Sequence, residues 1–253
     1  MEPNYFLSNL YDRLDKQNPY YNKGSINSKD FLRHNFIKKN IDQYKMILPK
    51  DKNIKILDIG VGRGWFAAIC ILLGYKNIYL ADFRCGEKFF DIKNEFKEIK
   101  QTYDIKTSVI DTFADRSFNN RFDFIHLSHV IEHIPKYELI LTMDALYKML
   151  AFNGQLMLRT PNLLGPNAFN SLFYVMGHEY GFIPSNLRQL YKVTNFENIT
   201  VHKFKYKNSN LLQLLGEIIR KIYLLNAKIK FRIFEGYFPE SVENELIMTG
   251  QKK

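Results

Sequence analysis

The sequence predicts a doubly wound α/β domain, and three observations carry that prediction. Short apolar runs at 54–60, 78–82 and 122–128 read as buried parallel strands. The stretches between them are long enough for crossover helices, so strands and helices alternate as βαβ units. A glycine-rich turn, GVGRG, follows the first run directly and opens a helix.

Each element follows from its own residues. Positions 1–50 are polar and aromatic, with a helix expected around Ser28–Met46. Asn27 or Ser28 caps it, and Phe31, Phe36, Ile37 and Ile41 supply the apolar stripe. IKILDIG (54–60) is the first strand, and Trp65–Leu73 is a helix closed by Gly74. IYLAD (78–82) is the second strand, with a helix expected over 87–100 and TSVID (107–111) as the third strand. FDFIHLS (122–128) is the fourth, followed by a turn and a helix over about 136–150. GQLMLRTPN (154–162) is the fifth and ends in a proline loop. A loop-rich stretch at 163–183 precedes a helix near 185–193 and a strand at NITVHKF (198–204). ELIMTGQKK (245–253) reads as the last strand. With no repeats and no low-complexity linker, residues 1–253 form one domain. It comprises an N-terminal helical segment (1–50), a core (51–205) and a basic helical insertion (206–244) before the last strand.

Composition narrows the function classes. An apolar share of 46% with 25% charged residues excludes a disordered chain. A net charge of +10 favours anionic partners: nucleic acid, phosphorylated or nucleotide-linked molecules, or an acidic membrane surface. A solvated lysine surface would account for it equally. Cys70 and Cys85 lack metal-type spacing and fit a reduced cytoplasmic protein. The first residues lack a signal-peptide pattern, and no apolar run reaches bilayer length, so a soluble, cytoplasmic location is expected.

The most informative segment is LDIGVGRGWF, with Asp58, Gly60, Gly62 and Gly64. Glycines there turn the chain sharply and let a ligand approach the backbone. In a dinucleotide fingerprint counted from Gly60, the third glycine would fall on Trp65, and an indole there obstructs helix–strand packing. No Lys-Ser/Thr pair follows, which excludes a nucleotide-phosphate P-loop. Asp82 ends the second strand, where doubly wound folds hold ribose hydroxyls, and Asp111 ends the expected third strand on the same edge.

The ordered series LDIGVGRG, YLAD, VID, FDFIHLSHVIEHI and NGQLMLRTPN resembles the class I methyltransferases over about residues 53–200. It is most similar to the small-molecule O-methyltransferases of the ubiquinone-biosynthesis type. The resemblance implies a Rossmann-like, seven-stranded, mostly parallel sheet with an antiparallel last strand, and S-adenosylmethionine as donor. It puts Asp58, Gly60, Gly62 and Gly64 near the methionine moiety and Asp82 on the ribose. It also frames the adenine with Asp111, Thr112 and Phe113 and sets Ser128 and His129 near the sulfonium. Phe152-Asn153 replaces the family's common Lys-Pro turn.

Three of the six histidines fall in HLSHVIEH. His126, inside a strand, reads as structural. His129, Glu132 and His133 share one face of a helical turn beyond the fourth strand. Three readings stand: a pocket-shaping pair, a general base at His133 or His129 with His178 nearby, or a divalent metal bound by His129, Glu132, His133 and His178. The ubiquinone-type enzymes and the RNA 3′-terminal 2′-O-methyltransferases show a similar Glu-x-x-Glu-His cluster, in which His129 here replaces the first glutamate.

From Lys203 to Arg232 there are eight Lys or Arg and one acid, Glu217. Leu211, Leu214, Leu215, Ile218, Ile219, Ile222 and Leu225 form a stripe at helical spacing. The stripe fits a helix packed on the sheet or on a partner subunit, or a peripheral membrane surface. The charge fits a phosphate-bearing acceptor held by Lys203, Lys205, Lys207 or Arg220. The expected function is O-methylation of a sugar, nucleotide-linked or glycan acceptor, as in bacterial surface-polysaccharide synthesis. The alternative is an RNA-modifying 2′-O-methyltransferase, though no separate RNA-binding module is visible.

Overall fold

The computed structural model describes residues 35–62, 64–82, 99–104, 118–173, 176–204 and 211–253. In chain order these form α1 (Asn35–Ile47), β1 (Lys55–Ile59), α2 (Trp65–Leu72), β2 (Asn77–Asp82), β3 (Ile99–Asp104) and β4 (Phe122–Ser128). Two short 3-10 turns lead into α3 (Leu139–Met149) and β5 (Leu150–Pro161). Then come α4 (Ala168–Phe173), α5 (Pro184–Val193), β6 (Glu197–His202), α6 (Leu211–Glu235) and β7 (Glu245–Gln251).

The strands form a seven-stranded sheet in the order β3-β2-β1-β4-β5-β7-β6. All pairs from β3 through β5 are parallel, and β7 runs antiparallel to both of its neighbours. The order reverses between β1 and β4, which makes the crevice beyond their carboxyl ends the ligand position in such a sheet.

Strand periodicity sorts the core into two faces. Leu57 and Ile59 of β1, with Ile125 and Leu127 of β4, face α3 and α5, where Met143, Leu146, Leu187 and Tyr191 cover them. Ile56 and Phe124 face α1 and α2, against Ile37, Tyr44, Phe66 and Ile69. Asp58 and His126 fall on this second face and are buried among those side chains.

The third strand differs from expectation. It lies at Ile99–Asp104, so residues 99–100 are strand where a helix was expected, while 107–111 lie outside the described residues. Among the described residues β3 is the sheet's edge and pairs only with β2, and IKQTYD lacks the apolar run that marks a doubly flanked strand. Other boundaries shift by a few residues, and β5 begins at Leu150, before the Asn153 turn rather than after it. The Asn27 and Ser28 cap positions and Cys85 also lie outside the described residues.

Candidate functional site

The glycine loop leaves β1 at the switch point. Gly60, Gly62 and Gly64 all sit at positive φ (72°, 53° and 74°), the left-handed region that penalises any residue with a Cβ. A Cβ on Gly60 would also stand 2.2 Å from Cγ2 of Val130, in the loop after β4. The two loops at the switch point therefore touch backbone to side chain. Gly62 N–H donates to Oδ2 of Asp82 at 3.0 Å, so the carboxylate ending β2 holds the loop in shape. Trp65 begins α2 directly after the loop, and no side chain caps that end. An open glycine backbone, an uncapped helix start and two buried carboxylates at strand ends fit an adenosyl-amino-acid cofactor. Asp111, Thr112 and Phe113 lie outside the described residues. Ser128 closes β4, half-buried at the same edge.

Asp58 does not stand alone. His126, opposite it on β4, donates from Nδ1 to its Oδ1 at 2.7 Å. The His126 Nε2 accepts from the Tyr44 hydroxyl at 3.2 Å, and Phe66 stacks on the ring at 3.7 Å. Burial pushes the Asp58 carboxyl above its ordinary value, partly offset by the His126 hydrogen bond. His126 is thus a positioning residue for Asp58, with Tyr44 of α1 orienting it in turn.

Beyond β4, His129 takes a left-handed conformation (φ 54°), and its N–H donates to the Arg159 carbonyl at 2.8 Å. Its Nδ1 lies 3.2 Å from Oε1 of Glu132 and its Nε2 lies 3.7 Å from Glu245. Burial works against a charge on the ring, yet the hydrogen bonds it donates to these two carboxylates outweigh that and raise His129 to about 9. Glu245 is held down to about 2: burial alone would raise it, but His129 and Arg159 more than compensate. At neutral pH such a ring is held protonated, which works against the base role expected for it. The ligand atoms that gather nearby are those of Glu132, His133 and His178, without His129.

Glu132 is buried, with Oε2 accepting from the Thr160 hydroxyl at 3.1 Å. Its own carbonyl accepts from the backbone N–H groups of Glu179 and Tyr180, which pulls the 177–180 loop onto the site. This loop delivers His178. His133 donates from Nδ1 to the Gly177 carbonyl at 2.7 Å, and His178 from Nδ1 to the Ser171 carbonyl at 2.6 Å. A carbonyl only accepts, so both rings carry hydrogen on Nδ1. The rings meet edge to face with centroids 4.7 Å apart. Burial lowers the His133 pKa more than Glu132 raises it, so the ring is neutral. One ligand atom each from Glu132, His133 and His178 lie within 4.8 Å of one another.

Sequence reasoning missed Arg159 and Glu245. Arg159 is buried on β5, bonded to Glu245 and, at 3.0 Å, to Asn40 Oδ1 of α1. An arginine inside the apolar run LMLRTP was the available signal, because a buried cation needs a carboxylate. Arg220, considered as a phosphate ligand, binds Glu217 at 2.7 Å and Glu243 at 2.5 Å, so its charge is already matched.

Residues 31–201 match a family model described as a methyltransferase domain. No curated protein matches the chain. Among solved structures, a SAM-dependent methyltransferase from Archaeoglobus fulgidus superposes with a TM-score of 0.59 at 19% identity, covering 84% of this chain and 92% of that one. A Burkholderia thailandensis 1,6-didemethyltoxoflavin-N1-methyltransferase gives 0.56 at 13%, covering 98% and 86%. The phosphoethanolamine N-methyltransferase 2 of Haemonchus contortus gives 0.58 at 17%, covering 95% and 59%. At these identities the structural likeness speaks for the fold, and the family model speaks for the activity. With its glycine loop and strand-end carboxylates in place, the chain belongs to the methyltransferase-domain family and is an S-adenosylmethionine-dependent class I enzyme.

Proposed function

We propose that the chain methylates a hydroxyl of a small acceptor, a sugar, nucleotide-linked or glycan molecule, with Nε2 of His133 as general base. S-adenosylmethionine, when bound, supplies the electrophilic methyl group. The observation that carries the reading is the His133 tautomer. Nδ1–H is committed to Gly177, Nε2 is the acceptor nitrogen, and burial keeps the ring neutral. A hydroxyl is a weak nucleophile until its proton leaves, whereas a neutral amine needs no such help. A buried neutral imidazole therefore suits oxygen better than nitrogen. His178, edge-on to His133, orients the ring, and Glu132 sets the electrostatics beneath it. The net charge of +10 supports an anionic acceptor.

The test is methyl transfer to a panel of nucleotide sugars and short glycans, with S-adenosylhomocysteine binding measured on the same samples. His133→Ala should lose roughly 10²–10⁴ in kcat while keeping its affinity for S-adenosylhomocysteine. Full activity would remove His133 from the chemistry. The cluster of Glu132, His133 and His178 favours a second reading, in which a divalent metal lowers the hydroxyl's pKa. Histidines with Nδ1–H tied to carbonyls are oriented as metal-bound ones usually are. Loss of turnover on chelation, restored by added Mn²⁺ or Mg²⁺, would select it; turnover indifferent to chelation selects the base.

A further inference from the structure

The helix α6 presents its apolar side to solvent. Glu217, Arg220, Leu224, Ala227, Lys228 and Phe231 are its half-buried positions, and they share one face. That face borders a cavity of about 490 Å³ against Lys203, Phe204 and residues 240–243. The opposite face carries Leu215, Ile218, Ile219, Ile222, Ile229 and Ile233, of which Ile219, Ile222 and Ile233 are 68%, 62% and 69% exposed. A surface helix normally turns such a stripe to the core. Here the arrangement is reversed, with the ion pairs inside and the isoleucines outside.

The charges beside the stripe indicate what covers it. The helix holds five basic residues (Arg220, Lys221, Lys228, Lys230, Arg232) against two acids, Glu217 and Glu235. Glu217 turns inward to Arg220, with Lys221 3.7 Å away, so the exposed stripe is flanked mainly by cations. Back-to-back pairing of two copies would bring these like charges together in a chain already at +10. Phe234 in the last turn of the helix, and Tyr237 and Phe238 beyond it, are exposed as well. No helix among the described residues is long and apolar enough to cross a membrane.

We propose that α6 docks the protein on an anionic lipid bilayer, lying in the interface with its isoleucine face among the acyl chains and Lys221, Lys230 and Arg232 at the headgroups. Interfacial helices combine these features: an apolar face, a basic rim, and a length of about 37 Å for 25 residues laid flat. Basic residues at such a rim gain attraction from acidic headgroups. The Arg220–Glu243 pair links the helix to the segment leading into Glu245, so docking sets one rim of the catalytic edge at the bilayer surface. The inference is independent of the base and metal readings above.

The experiment is co-sedimentation of the full chain with vesicles of phosphatidylcholine alone and of phosphatidylcholine mixed with phosphatidylglycerol. Binding to the mixed vesicles should exceed binding to the neutral ones by roughly tenfold and fall as salt rises. The outward triple variant Ile219→Ser, Ile222→Ser, Ile233→Ser should lose it, with S-adenosylhomocysteine affinity unchanged as proof of folding. Lys221→Glu with Lys230→Glu should remove the preference for anionic vesicles. Absence of vesicle binding at low salt, or unchanged binding by the triple variant, overturns the proposal. So does a concentration-dependent dimer that the triple variant abolishes, which would assign the stripe to a second copy.

Discussion

The imidazole of His126 and the carboxylate of Asp58 meet 2.7 Å apart across neighbouring strands, both buried, at the point where the strand order reverses. The pair fixes the carboxylate that precedes the glycine loop, which makes His126 a positioning residue for Asp58. His126→Ala should leave that carboxylate buried and short of a donor. The expected cost is about 1–3 kcal/mol, read as a lower urea midpoint with an unchanged slope. An unaltered midpoint would mean that the pair contributes nothing to stability.

Gly60→Ala should damage the protein twice over. The left-handed backbone costs about 1–2 kcal/mol, and the new methyl would collide with Val130 Cγ2. Combining it with Val130→Ala removes the collision but not the strain. Calorimetry should therefore show S-adenosylhomocysteine binding lost in the single variant and partly recovered in the double. Recovery by Val130→Ala is the decisive readout, since a purely conformational effect would not respond to it.

Asp82 holds Gly62 N–H at 3.0 Å and stands where ribose binds in this sheet type. Asp82→Ala loses charge-assisted hydrogen bonds worth about 1.5–3 kcal/mol each, so affinity for S-adenosylhomocysteine should fall at least tenfold. Unchanged affinity would refute the ribose assignment.

His129 and Glu245 give stability a pH window. The His129 pKa rises from 6.5 to about 9 on folding, so its contribution is full below 6.5 and is lost as pH climbs through about 9. That of Glu245 falls from 4.5 to about 2, so its contribution is present above 4.5 and disappears as pH drops toward 2. Between 4.5 and 6.5 these two contributions are constant. The gap in urea midpoint between the native protein and His129→Gln should shrink as pH rises past 9. The His129 side chain is 44% exposed, so solvent screening keeps that gap modest. A gap that stays constant across the range would show that folding does not raise the proton affinity of His129.

Much of this architecture was legible before any coordinates. β1, β2, β4 and β5 are covered on both faces, and burial on both faces demands a continuous apolar run, which anyone can read. The glycine loop was equally legible, because three left-handed positions in five residues tolerate little else. β3 was not, since an edge strand carries polar residues such as Lys100, Gln101 and Asp104 and offers no apolar run to mark it. Glu132 and His133 were found from their adjacency, while Glu245 was overlooked more than a hundred positions downstream.

The sequence by itself determined the fold class, the glycine loop and the strand-end carboxylates, because local backbone conformation and burial are written in neighbouring residues. Tertiary structure decided which histidines do what. His129 became a cation because β7 runs antiparallel, which brings its first residue, Glu245, beside Pro161 at the carboxyl edge. His133 became neutral because the fold buries it deeply enough to outweigh Glu132 and the Gly177 carbonyl, both of which favour its charged form. Only the fold showed that the stripe on α6 faces outward, since helical periodicity marks an apolar face without saying where it points. Protonation state and direction depend on what lies across space, and spacing along the chain carries no record of that.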